Sequence, residues 1–137
     1  MIDGSLDDTF ESDDQRISFN PGFTLSSEEA PVWLIFDATV TPAAPSLLEL
    51  TAESQVSTPG LELTVEAFNF TTNSFDIVGV DDGSFNVDRV LNIDLSDSVQ
   101  DFVEAGAVQA RLGWRQTGFV LSFPWIVQLD QLFWTVE

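Results

Sequence analysis

Apolar and polar residues alternate with a period of two along most of the chain, and that period belongs to strands with one buried face rather than to helices. From Pro31 to Thr41 one side carries Val32, Leu34, Phe36, Ala38 and Val40, and the other carries Trp33, Ile35, Asp37, Thr39 and Thr41. Leu47 to Val56 sets Leu48, Leu50, Ala52 and Val56 against Glu49, Thr51, Glu53 and Gln55. Leu61 to Phe70 sets Leu61, Leu63, Val65 and Ala67 against Glu62, Thr64 and Glu66. Each predicts a strand that wets its polar face. Between the last two, Ser57-Thr58-Pro59-Gly60 is a turn signal, with Pro59 pre-setting φ and Gly60 free to take a positive φ. The short connection predicts a hairpin.

The alternation continues after Thr71-Thr72-Asn73 into Ser74 to Val80, and after Asp81-Asp82-Gly83 into Ser84 to Leu95, where Leu91, Ile93 and Leu95 share a side. Ser96-Asp97-Ser98 is placed to cap a single helical turn through Phe102, which Gly106 ends. Ala107 to Arg115 points Val108, Ala110, Leu112 and Trp114 inward and Gln109, Arg111 and Arg115 outward. The last segment, Trp125 to Val136, is apolar on both sides, with Ile126, Leu132, Trp134 and Val136 opposite Val127, Leu129 and Phe133. A strand of that kind belongs in the middle of a sheet, with Gln128 and Asp130 needing partners. About eight strands at this spacing predict an all-β fold, an antiparallel two-sheet jelly-roll β-sandwich, spanning 1–137 as a single domain.

Composition narrows the chemistry. Twenty-three acidic residues face four basic ones, for a formal net charge of -19, and all four cations are arginines: Arg16, Arg89, Arg111 and Arg115. Such a surface repels phosphate, which excludes nucleic acid and anionic membranes as partners. The absence of His and Cys removes imidazole and thiolate nucleophile pairs, zinc sites and disulfides. Carboxylates remain, and a glycosidase needs only two of them, but acids on wet strand faces and in turns are ordinary solvated surface. We expect no enzyme. The first residues, Met1 to Asp8, hold no positive n-region and no apolar h-region, and no apolar run approaches a membrane span, so no signal peptide or membrane insertion is expected. Lysine depletion with excess acid also fits a protein at home in concentrated salt, where self-repulsion is screened.

Tryptophan is the better lead to function. Sugar-binding sandwiches stack pyranose faces on aromatic rings and orient them with a few polar groups. Trp114 and Trp134 sit in register with apolar neighbours and are expected in the core, whereas Trp33 shares its side with Asp37 and Thr39. Trp125, after Pro124 at the end of the loop-like 119–124 stretch, is the second candidate for exposure. Arg111, Arg115 and Gln128 supply polar contacts beside them. An arginine inside a strand of so acidic a chain should be ion-paired, and Asp130 is the expected partner of Arg111. No cofactor is required, although calcium has candidate ligands at Asp7-Asp8, Asp13-Asp14 and Asp81-Asp82-Gly83, none with EF-hand spacing. Asn69-Phe70-Thr71 matches the glycosylation sequon.

Several segments carry a family likeness: Ser57 to Leu61, Glu66 to Val78, Val108-Gln109-Ala110-Arg111-Leu112-Gly113-Trp114-Arg115, and Pro124 to Val136. Together they resemble an uncharacterised C-terminal module of large secreted bacterial proteins, from about Asn20 onward. The same segments are similar to galactose-binding-like jelly-roll domains, which include carbohydrate-binding modules, many with a structural calcium. The resemblance implies an extracellular or cell-surface accessory module that binds a polysaccharide or glycan. The alternative is a structural adhesion or self-assembly domain whose edge strands, or the apolar stretch 119–125, contact neighbouring copies or domains. This chain lacks Lys and Tyr, so a sugar site built on either does not carry over.

Overall fold

The computed structural model describes residues 2–3, 17–19, 32–117 and 124–137. Among them are nine strands: β1 (Ile2–Asp3), β2 (Ile17–Phe19), β3 (Val32–Thr39), β4 (Leu48–Val56), β5 (Leu61–Asn69), β6 (Ser74–Asp82), β7 (Arg89–Asp94), β8 (Ala107–Gln116) and β9 (Val127–Val136). They form one sheet in the order β1-β2-β9-β4-β7 and a second in the order β3-β8-β5-β6. The pairing is nested: β2 with β9, β3 with β8, β4 with β7 and β5 with β6, all antiparallel. That ribbon is rolled so that β4 also pairs with β9, and β5 with β8. The result is the jelly roll that the alternation predicts.

Rolling the ribbon has a local consequence. From β2 onward every connection except β5–β6 passes from one sheet to the other. The Ser57–Gly60 turn is present, with Gly60 at φ 83, but it carries the chain across the sandwich and does not close a hairpin. Thr71-Thr72-Asn73 does close one, with Asn73 at φ 56.

The inward residues of the central strands make the core. Leu48, Leu50, Ala52 and Val56 of β4 meet Leu61, Leu63, Val65 and Ala67 of β5, together with Val108, Ala110, Leu112 and Trp114 of β8. Each fully buried Leu or Val contributes about 1.5–3 kcal/mol, so the alternation itself supplies the drive to fold. β9 departs from it. Glu53 lies opposite Gln131 and Ser54 opposite Leu129, which leaves Asp130 as the extra residue of a β-bulge. The bulge shifts the phase, so that Val127 and Leu129 before it are buried and Leu132 after it is buried too. The strand is therefore central, as expected, but its two apparent apolar sides are one inner face interrupted at Asp130. Val78 is the corresponding extra residue of β6.

The outer faces are also less wet than alternation predicts. Thr51 and Glu53 of β4 and Glu66 of β5 are buried. Thr51 donates to Asn92 Oδ1 at 2.9 Å, across the β4–β7 pair. The expected helical turn is present as a 3₁₀ turn (Ser96–Ser98) running into α1 (Val99–Phe102), with Gly106 at φ 82 beyond it. Neither Leu95, the N-cap of the 3₁₀ turn, nor Ser98, the N-cap of α1, makes a side-chain capping bond. Asp94 Oδ1 accepts from both the backbone N–H and the hydroxyl of Ser96, and these bonds hold the Asp94 carboxyl below the usual aspartate range.

Candidate functional site

The outer face of the β3-β8-β5-β6 sheet is a grid that register alone fixes. Trp33 lies opposite Gly113, which lies opposite Thr64, which lies opposite Val80. The next row is Ile35, Arg111, Glu66 and Ile77. Arg115 lies opposite Glu62 in the row on the other side of Trp33. Because this face points away from the core, its side chains are free to form a ligand-facing surface.

Trp33 remains 41% exposed. Gly113 is what allows it to lie against the sheet: a Cβ there would come within 2.4 Å of the ring's Cζ3 and 2.7 Å of Cε3. Any side chain at Gly113 would lift the indole off its seat. The Arg111 guanidinium carbon sits 4.6 Å from the Trp33 ring centroid and 4.2 Å from that of Phe75, so it is held between two aromatic faces. Arg111 Nε donates to Glu66 Oε2 at 2.8 Å and Nη2 donates to Oε1 at 2.9 Å. This bidentate geometry fixes the guanidinium plane and leaves Nη1 unengaged among the described residues. Arg115 Nε and Nη2 donate to Glu62 Oε1 at 3.0 and 2.8 Å.

Toward one end of the sheet the platform opens into a cleft of about 610 Å³, lined by Asp37, Thr39, Phe68, Phe70, Ala107 and Gln109 among others. Gln109 Nε2 donates to Asp37 Oδ1 at its mouth. Phe68 packs edge-on against Phe70 and Phe75, with centroids 5.1 and 5.2 Å apart, and so joins the cleft to the Arg111 stack. An exposed indole, a fixed guanidinium and an amide–carboxylate pair beside an aromatic-walled cleft can together hold a flat ligand with hydroxyls at its rim.

The expected site residues therefore divide. Trp33, Arg111 and Arg115 share this face. Gln128 is on the other sheet, where its Oε1 accepts from Gln55 Nε2 at 2.6 Å. Trp125 is 0% exposed, a core residue with no surface to offer a ligand, which corrects the expectation that it is exposed. The stretch 118–123 before it lies outside the described residues. Arg111 pairs with Glu66 and not with Asp130, because Asp130 is in the opposite sheet and the core lies between them.

Sequence alone does not single out Glu62, Glu66, Phe75 or Gly113. The two acids did leave a signal. Glu62 and Glu66 are four residues apart, as are Arg111 and Arg115, and an antiparallel pairing of the two segments brings both opposite-charge pairs together at once. Finding it required knowing that β5 and β8 are neighbours.

Asn69 is 8% exposed, its Nδ2 donates to Asp76 Oδ2 at 2.8 Å, and its Oδ1 accepts from Thr71 and Thr72 N–H. The sequon amide is thus part of the hairpin. Of the calcium candidates, Asp81 is paired with Arg89 at 3.0 Å, while Asp7-Asp8 and Asp13-Asp14 lie outside the described residues. Among the described residues no three acidic side chains converge as metal ligands, and no helix is long and apolar enough to cross a membrane.

No protein-family model matches the chain, and no curated protein matches it in sequence. Similar solved structures include a CBM4 carbohydrate-binding module, at 11% identity and a TM-score of 0.51, covering 99% of this chain and 91% of that one. A chain of the infectious bursal disease virus Gx strain structure is similar at 11% identity and a TM-score of 0.52, covering 85% of this chain. This chain covers 34% of the viral one. At such identities the likeness is one of fold, and it places the chain among jelly-roll proteins.

Proposed function

We propose that the chain is a non-catalytic, extracellular accessory module of a longer secreted or surface protein, and that it binds a polysaccharide or glycan on the β3-β8-β5-β6 face. The observation that carries this reading is Trp33, seated on Gly113, exposed, and continuous through Arg111 and Phe75 with the Asp37–Gln109 cleft. Trp33 supplies the stacking face, Arg111 and Arg115 the donors in the rows on either side of it, and Gln109 and Asp37 the donor and acceptor at the cleft. The CBM4 likeness supports a carbohydrate ligand at the level of fold. The reading needs no metal.

Retention on insoluble polysaccharides and titration against a soluble panel test it. Trp33→Ala should weaken retention about tenfold or more, since an aromatic stack is worth about 1 kcal/mol beyond the area it buries. Its thermal melt should stay close to that of the parent, with or without calcium. A flat response across the panel removes the reading.

A further inference from the structure

We infer that β6 is a docking edge for an extended segment of another protein, one with an apolar centre and cationic ends. β6 is the outermost strand of its sheet, so one side of its backbone is unpaired among the described residues. Its centre is apolar and open, with Ile77 65% and Val80 56% exposed. β7, the outermost strand of the other sheet, stacks beneath it: Arg89 of β7 pairs with Asp81 of β6, and a Cβ on Gly79 would meet Ile93 Cδ1 at 2.7 Å. Phe85, Val87 and Val90 on that side are exposed as well. An unpaired edge with alternate open apolar positions is what strand addition uses, the backbone giving affinity and the side-chain positions giving selectivity.

Charge selects the occupant. Asp76 lies on one side of the apolar centre, and Asp81 and Asp82 on the other. The antiparallel register that pairs Ile77 of one copy with Val80 of a second seats both on apolar residues. That register also sets Asp76 opposite Asp81 and Phe75 opposite Asp82, and like charges directly opposite destabilise a strand pair. Two copies also carry a net charge of -19 each. Asp81 is already paired with Arg89, but a strand with Lys or Arg at both ends meets Asp76, Asp82 and the net acidity of the chain with opposite charge.

The test uses synthetic peptides of nine residues, the length of β6, followed by fluorescence anisotropy at low salt. One has alternating Val and Thr between arginine ends, one has glutamate ends, and one has the first composition scrambled. The arginine-ended peptide should bind, and binding should weaken as salt rises. Ile77→Lys with Val80→Lys should weaken it about tenfold or more, and Asp82→Lys, at an exposed position, should weaken it severalfold. Equal binding of the glutamate-ended or scrambled peptide, an unchanged affinity in both variants, or no binding of any peptide would overturn the proposal. So would a dimer at low salt in sedimentation that Ile77→Lys with Val80→Lys dissolves, because the edge would then belong to a second copy.

Discussion

β8 and β9 are both ten-residue strands, each flanked on both sides within its own sheet, yet they encode their inward face in different ways. β8 keeps one phase, with Val108, Ala110, Leu112 and Trp114 inward and Gln109, Arg111 and Arg115 outward. β9 changes phase at Asp130, so its inward set is Val127 and Leu129 on one side of the bulge and Leu132 on the other. A regular strand ties every side chain to one parity. A bulged strand stores a break in parity at a single residue, and the same apolar content then looks two-faced when counted along the sequence.

Single-residue deletions break the comparison most sharply. Removing Arg111 from β8 should turn Leu112 and Trp114 to the outer face. The loss should exceed the roughly 5–15 kcal/mol that holds a domain of this kind together. Removing Asp130 from β9 should instead restore an unbroken alternation against β4, leaving Val127, Leu129 and Leu132 inward. That deletion should fold, at a cost of about 1–3 kcal/mol for the lost bulge and its buried carboxylate. Circular dichroism and denaturant melts of the two deletions decide the matter. A folded Arg111 deletion, or an unfolded Asp130 deletion, would refute the phase change at Asp130.

The same contrast explains what the sequence made legible. β3, β4, β5 and β8 announce themselves because a two-residue period survives from end to end, and so does the exposure of Trp33 opposite the buried Val32 set. The Asp130 bulge leaves no such mark, since an extra acid between two apolar runs has the same spelling as a polar face. Nor does the Ser57–Gly60 turn reveal that it spans two sheets, because turn chemistry fixes the local backbone and not the partner of the strand that follows. The place of Arg111 in an acidic chain signals its need for an ion pair. Which acid serves it depends on β5 lying beside β8, and that is a property of the rolled ribbon rather than of any local segment. Trp125 departs from its expected exposure for a related reason: its neighbour Pro124 signals a loop, but the rolling carries the residue into the core.

The outward faces of the two strands sharpen the contrast at smaller cost. On β8 the outward row is charged and held in place, with Arg111 gripped by Glu66. On β9 the outward Gln128 makes a neutral bond to Gln55. Glu66→Gln strips the charge from a buried acceptor and leaves a guanidinium between two rings without its counter-ion, at a cost of about 1–3 kcal/mol. Gln128→Ala should cost about 0.5–1 kcal/mol. If urea midpoints show the glutamine change to be the larger, the charged grid does not brace its face as described.

The smallest effect lies on the β9 side, where Asp94 ends β7 beside β4. Its carboxylate holds the Ser96 N–H and hydroxyl, and Ser96 Oγ in turn accepts from the Leu48 N–H at 3.2 Å, so the helical turn is tied to the first residue of β4. These hydrogen bonds favour the ionised form, and the carboxyl titrates lower in the folded chain than in the unfolded one. The unfolded chain therefore binds the proton more readily as the medium is acidified. The stability Asp94 contributes is complete above its unfolded value and disappears as pH falls through its folded value. Asp94→Asn should accordingly be less stable than the parent near neutral pH, and the gap should close on acidification below the ordinary aspartate range. A gap that stays constant down to that range would mean that the carboxylate's charge contributes nothing to the tie between the turn and β4.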